Sequence, residues 1–421
     1  MGSWTDMLYL VALLIEVALL CYLEYKIWKT VYTPLNFLML PYLVVLLITI
    51  MLAGSRLGFV EFYYPSIFIW NVGLLIFFLP SAIIGTLIVR NGKSVVSKPP
   101  VDSIPQSLKF LLVVMALLFI VHLKSVLGSS AEAFGSDEFG EEFSGGGVWG
   151  HLRILSLPLL MMSIYYVSKK RWWLWPIILI FLLVSVLNQV KGWVIIPVLA
   201  AMAMRIHAGK TRLTAKFLLY VLLGAFLVFF LSYALSILVV QSRGVSDEFM
   251  EFIYMHFLHY LTSGTFGWSM DLQLGLPDNT GDFQNIIAQF VNLFKVATGD
   301  KELVYPVNPL YFNPGWALTN VRTIFGTLYI NSNWIGFGIY VFVLSSLMYL
   351  MRTAMVRFNS IYLNTVYFFF CGMLFMGWFD FYFSGVIVIE LPIMLLLLWL
   401  FEKVLYKSQE DTENENSNNT D

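Results

Sequence analysis

The sequence predicts an all-α, polytopic integral membrane protein, and three observations predict it. Apolar residues make up 59% of the 421 residues and charged residues only 12%, and mean hydropathy is +0.78. A soluble domain needs far more charge to cover its surface. The apolar stretches run unbroken for roughly 17–25 residues, the length over which a helix crosses hydrocarbon. They do not alternate between polar and apolar, which rules out a transmembrane barrel. With bilayer as solvent, helices are then the way left to satisfy the backbone.

Spans are expected at residues 7–23, 35–53, 66–89, 108–127, 151–167, 172–188, 192–204, 217–240, 334–351, 361–376 and 386–401, about eleven in all. The first is followed by Lys26 and Lys29, and the third by Arg90, Lys93 and Lys98. Lys169, Lys170 and Arg171 follow the fifth; Arg205, Lys210, Arg212 and Lys216 follow the seventh, which is short and needs its flanks to cross. Arg352 and Arg357 follow the ninth, and Lys403 and Lys407 the last. Every alternate connection is basic, and cytoplasmic loops are the ones enriched in Lys and Arg. The expected orientation is therefore N-terminus outside and C-terminus cytoplasmic. Residues 1–6 hold no Lys or Arg, so the first span is expected to remain rather than be cleaved as a signal peptide.

Four regions follow from this pass: 1–241 with about eight spans, 242–332 as one large external segment, 333–405 with about three spans, and 406–421 as a polar, acidic tail expected to be disordered and cytoplasmic. Two smaller external segments are a Gly-rich, acidic loop over 128–150 and the tight turn Gln189, Val190, Lys191. Glu16 and Glu390 fall inside spans, where an ionisable group costs roughly 2.5–3.5 kcal/mol; each is expected to face the bundle interior. Cys21 and Cys371 also fall in spans, against a disulfide framework or metal cluster. No phosphate-binding Gly loop is present, no basic block points to nucleic acid, and no internal repeat is visible.

The external segment holds the candidate chemistry. Over 248–261, Phe249, Phe252, Ile253, Phe257 and Tyr260 recur near helical spacing, which predicts an amphipathic helix at the membrane surface. His256 and His259 are three apart and share a face. They read either as interfacial polar residues or as a general base, since an ordinary imidazole titrates near neutrality; no third ligand stands nearby for a metal. Turns at Asn308-Pro309 and Asn313-Pro314-Gly315 fold the segment back, and Arg322 is delivered near the outer surface. Arg243 and Lys191 sit at external span ends, and Arg153 follows the acidic loop. Guanidinium forks match phosphate oxygens in pairs, so the cations point to a phosphate-bearing headgroup; snorkelling or pairing with loop carboxylates is the plainer reading. Asp380 lies in an aromatic turn, residues 378–383, that forms an interfacial belt or stacks on a sugar face.

The layout of many spans with one late external segment resembles the O-antigen and capsule repeat-unit polymerases, the Wzy-type family. The run Thr319 to Tyr329, followed by Asn333, Trp334 and the pair Gly336 and Gly338, is similar to the loop exit of that family. Asn188 to Gly192 resembles its basic external helix end, with Lys191 where Arg is usual. Related ligases carry a His in the loop exit, where this chain has Asn320, Val321 and Arg322. The resemblance implies transfer of an undecaprenyl-diphosphate-linked glycan onto a new lipid-linked repeat unit, at the outer face of the bacterial cytoplasmic membrane. It implies no cofactor or metal, and a chain-length regulator as a possible protein partner. Arg243 and Arg322, with Lys191, would hold the diphosphate; Asn320, Arg153 and Asp380 would help bind substrate. His259 or His256 would be the base, with Asp247 or Glu248 as the alternative. A glycan ligase, or a flippase or transporter of the same intermediates, are the rival expectations.

Overall fold

The computed structural model describes residues 4–90, 102–130, 147–187, 192–235, 247–276 and 282–418. Among them the chain is helical, with a single isolated β-bridge between Phe312 and Thr319. Among the described residues, seven helices are long and apolar enough to cross a membrane: Asp6–Trp28, Pro34–Leu52, Tyr64–Arg90, Gln106–Val126, Val148–Tyr166, Asn333–Phe358 and Ile361–Trp378. Leu174–Leu187 and Gly192–His207 are apolar but shorter. The helices Ala215–Leu235 and Ile387–Asn418 fall on the two remaining expected spans. Among the described residues the protein is thus an all-α membrane protein, with seven helices that meet the length and hydropathy of a span.

The last helix runs on to Asn418, through the polar stretch where no regular structure was expected. Gln409, Glu410, Glu413 and Glu415 are good helix formers, and a helix already nucleated extends at one hydrogen bond per residue. Residues 131–146, the core of the acidic loop, lie outside the described residues, as do Lys191 and Arg243.

Two compact units divide the chain. The first comprises Met1–Lys98, Arg212–Arg357 and Phe369–Val386, the second Pro99–Thr211, Phe358–Phe368 and Ile387–Asp421. In the second, Val148–Tyr166 packs against Leu174–Leu187, Gly192–His207 and Ile387–Asn418. His151 Nδ1 lies 2.9 Å from Glu390 Oε1, which accounts for the carboxylate noted in the last span.

The first unit is organised around buried polar groups on its spans. Glu24 accepts hydrogen bonds from Ser81 and, at 2.9 Å, from the Tyr349 hydroxyl. Trp28 Nε1 donates to Ser81 Oγ at 2.8 Å, and its ring stacks on Tyr349. Arg352 donates to the Tyr32 carbonyl at 3.0 Å and lies over the Trp28 ring. Polar groups out of water need such partners, and here they tie the first, third and ninth expected spans together.

The Asp247–Gln273 helix is longer than the amphipathic segment expected over 248–261. Residues 262–269 are buried on every side. Their low hydropathy hid this, because Thr262, Ser263, Gly264, Thr265, Gly267 and Ser269 are small rather than apolar. Small residues let backbones approach closely inside a membrane protein. A Cβ on Gly264 would fall 2.2 Å from the Phe379 carbonyl oxygen and 2.6 Å from that of Trp378. The helix packs against Pro34–Leu52, and Trp268 Nε1 donates to the Ser66 carbonyl at 3.0 Å.

Gly264→Ala is expected to destabilise the protein although it favours the helix. Alanine gains roughly 1 kcal/mol of helix propensity, while overpacking against backbone that cannot rotate away costs about 1–3 kcal/mol. The thermal midpoint in detergent should fall; an unchanged or higher midpoint would show that the two backbones do not meet.

Candidate functional site

The segment after residue 300 is shaped by its turns. Phe312 and Thr319 exchange backbone hydrogen bonds at 2.7 and 2.8 Å, closing a hairpin over Asn313-Pro314-Gly315. Val60 N–H donates to the Pro314 carbonyl at 2.9 Å, pinning the hairpin tip to the loop after Pro34–Leu52. Gly315, at φ +130°, sits where a Cβ would strike the Gly58 carbonyl oxygen at 2.0 Å, so this turn requires glycine. Beyond the hairpin, Thr323 caps the helix Ile324–Ile330 through Gly326 N–H and accepts a hydrogen bond from Trp70 Nε1 at 3.1 Å. One threonine thereby starts the helix and docks it on the span Tyr64–Arg90.

Between hairpin and helix lies Arg322, 1% exposed. Its Nε and Nη2 form a fork onto both oxygens of Asp271, with Nη2 to Oδ1 at 3.0 Å. Nη1 donates to the Val321 carbonyl at 3.0 Å, Nη2 also reaches the Leu310 carbonyl at 3.4 Å, and the Phe312 ring lies 4.8 Å from the guanidinium. Gly267 makes room, since a Cβ there would lie 2.9 Å from Arg322 Nη1 and 2.5 Å from the Val321 carbonyl oxygen. Burial raises the Asp271 carboxyl, and the Arg322 charge and hydrogen bond pull it back down. A small recess adjoins the pair, lined by Asp271, Leu276, Asn308, Leu310 and Ile330.

A second carboxylate stands close. Asp380 accepts hydrogen bonds from Thr327 Oγ1 at 3.0 Å and from Phe381 N–H at 2.8 Å, and Arg322 bears on its charge. Burial nevertheless pushes Asp380 up to about 6. The Thr327 hydroxyl oxygen also lies 3.3 Å from the Arg322 carbonyl oxygen, so one short helix borders both Asp380 and Arg322. Tyr260 stacks on Phe379 and hydrogen-bonds Tyr382, whose hydroxyl burial raises well above its ordinary value.

Both histidines face the same loop. His259 is buried and interacts with the Leu318 backbone; burial lowers its pKa more than that hydrogen bond raises it. Its Nδ1 has no hydrogen-bond partner among the described residues. A buried imidazole with a depressed pKa stays neutral near pH 7 and keeps a lone pair for a proton. His256 stacks on Phe252, meets the Trp316 ring edge-on, and has its ring centre 6.0 Å from that of His259. Asn320 Nδ2 donates to the Asn308 carbonyl at 3.3 Å. No group of three or more His, Cys, Asp or Glu side chains is placed to hold a metal among the described residues.

Of the residues singled out in the sequence, His256, His259, Asn320, Arg322 and Asp380 all belong to the first unit and border the stretch 308–331. Arg153 lies on Val148–Tyr166 in the other unit. Glu248 is exposed near the start of Asp247–Gln273. Asp271 was missed, since at the far end of a helix it has no motif around it. The available signal was a lone acid following a run of small residues.

The model of a family of unknown function, DUF6337, matches residues 58–408. No curated protein and no solved structure matches.

Removing one partner of a buried ion pair strands the other charge, at about 3–5 kcal/mol. Asp271→Leu alone is therefore expected to lower the thermal midpoint sharply, and Asp271→Leu with Arg322→Met to recover most of the loss; equal losses would mean the pair is not coupled. Asp380 predicts a pH effect. Its folded-state pKa of about 6 lies above the ordinary 3.8, so the folded state holds the proton more tightly. This group's contribution to stability is full below about 4 and is lost as pH rises through about 6. The midpoint of Asp380→Asn, relative to the parent protein, should rise across that window; a flat difference would remove the assignment.

Proposed function

The chain belongs to this DUF6337 family, and we propose that it is a glycosyltransferase, a polymerase of bacterial surface polysaccharide acting on undecaprenyl-diphosphate-linked glycans. The observation that carries this reading is the buried Arg322–Asp271 fork with Asp380 close by, on the segment that resembles a polymerase loop exit and whose Leu318 backbone His259 meets. About eleven spans hold that segment at the outer face of the cytoplasmic membrane in this reading. The N-terminus is then outside and the C-terminus cytoplasmic, and a chain-length regulator is the proposed protein partner.

The chemistry balances without an added reactant. The acceptor sugar hydroxyl attacks the anomeric carbon of the donor chain, the bond from that carbon to the diphosphate oxygen breaks, and the diphosphate leaves with the electron pair. The hydroxyl proton passes to a base, and direct displacement inverts the anomeric centre. A diphosphate is already an adequate leaving group, so the protein's part is to neutralise its growing charge and take the proton. Arg322 supplies the cation. Its Nη1 rests on a neutral carbonyl, which an incoming phosphate oxygen displaces more readily than it displaces the Asp271 carboxylate. Arg243 is proposed to add charge, and Asn320 and Asp380 to contact substrate. His259 is the first candidate for the base, His256 the second. A glycan ligase would use the same donor with a different acceptor; Arg322 in place of a loop-exit His favours the polymerase.

Reconstitution with a purified lipid-linked repeat unit and no nucleotide should yield multimers. Deletion in the native strain should accumulate single repeat units on lipid, whereas long lipid-linked chains would indicate a ligase. Arg322→Lys keeps the charge opposite Asp271 but loses the fork, and turnover should fall about 10²–10³-fold. His259→Ala should fall about 10²–10⁴-fold at unchanged protein level. Full-length glycan ladders from both variants would overturn the assignment.

A further inference from the structure

The second unit carries a cationic face that the transfer reaction does not use. Its foundation is the end of Val148–Tyr166. Arg205 Nη1 donates to the carbonyls of Ile164, Tyr165 and Val167 at 2.7, 3.0 and 3.1 Å. A guanidinium across the last carbonyls of a helix satisfies acceptors that otherwise lack partners, and it complements the helix dipole. The chain then turns through Lys169–Arg171.

Acid is scarce here and already engaged. Asp102 Oδ1 receives Lys210 Nζ at 2.6 Å and lies 3.5 Å from Arg171 Nη1. Lys210 also lies 3.7 Å from the centre of the Tyr165 ring. Two cations thus share one carboxylate and leave a net positive charge at the turn. Lys169 and Lys170 are exposed beside it. Lys403 is exposed on the neighbouring Ile387–Asn418 helix, 4.2 Å over the Trp399 ring; the adjacent Glu402 hydrogen-bonds Tyr362.

The apolar part of this face selects its partner. Trp172 is 70% exposed and Trp175 55% exposed, directly after the three basic residues. Indoles at the end of a membrane-crossing helix sit at headgroup level, one side apolar and one side wet. Lysines among them meet the phosphates of that layer.

We propose that Lys169, Lys170 and Lys403, flanked by Trp172 and Trp175, bind the headgroups of anionic phospholipids in the adjoining leaflet. A Lys near an anionic surface contributes about fivefold to binding, and three together about a hundredfold.

The test uses the full-length protein, delipidated in detergent and titrated with phosphatidylglycerol or phosphatidylcholine, with retained lipid counted by native mass spectrometry. Phosphatidylglycerol should be held in clear preference. Lys169→Gln with Lys170→Gln and Lys403→Gln should lose it about a hundredfold, while the three corresponding Arg substitutions keep it. Equal retention of the two lipids, or a Gln triple variant that still prefers phosphatidylglycerol, would overturn the proposal. Displacement of phosphatidylglycerol by an equal concentration of inorganic phosphate would also overturn it, by showing a free-anion site.

Discussion

The pairing of Arg322 with Asp271 constrains everything around it in the first unit. Two ionised groups at 1% exposure are tolerated only where attraction and hydrogen bonds offset several kcal/mol of lost hydration per ion. That requirement explains details that otherwise look unrelated. Gly267 has no side chain because the guanidinium needs its space, and Phe312 lies against the guanidinium plane. The hairpin is anchored at Gly315 and Gly58, so the residues leading into Arg322 do not drift. The helix Ile324–Ile330 is capped and docked by Thr323, fixing the residues that leave it.

A fixed cation, two carboxylates raised by burial and an imidazole lowered by burial border one segment. Perturbed titrations of this kind cluster at functional sites. Structural ion-pair networks shift pKa values as well, and the spans of the same unit contain one. Glu24, Ser81, Tyr349 and Arg352 are likewise buried. The two clusters differ in their surroundings. The Glu24 cluster is built wholly on residues of the spans and the turn between two of them, whereas the Arg322 cluster lies on a loop exit with a recess beside it. Loops held by a rigid scaffold are where binding chemistry concentrates.

Much of the frame was legible in the chain. The apolar runs at 7–23, 35–53, 66–89 and 334–351 fall on helices because hydrocarbon length and backbone satisfaction leave no other solution. The turns at Asn313-Pro314-Gly315 were legible for an equally local reason, the fixed φ of proline and the freedom of glycine. The second half of Asp247–Gln273 was not. Thr262 to Ser269 carries no apolar periodicity, and burial there comes from close backbone approach, which hydropathy does not register.

The site divides in the same way. Arg322 and His259 stood out by residue type in the external segment 242–332, and Asp380 in the separate aromatic turn 378–383. The sequence by itself determined an all-helical membrane protein and the segment in which chemistry was to be sought, because both follow from local composition against the length of a bilayer. Only the tertiary structure decided that Asp271 grips Arg322, since those residues are 51 apart in the chain and a buried charge takes its partner from whatever the fold brings within reach.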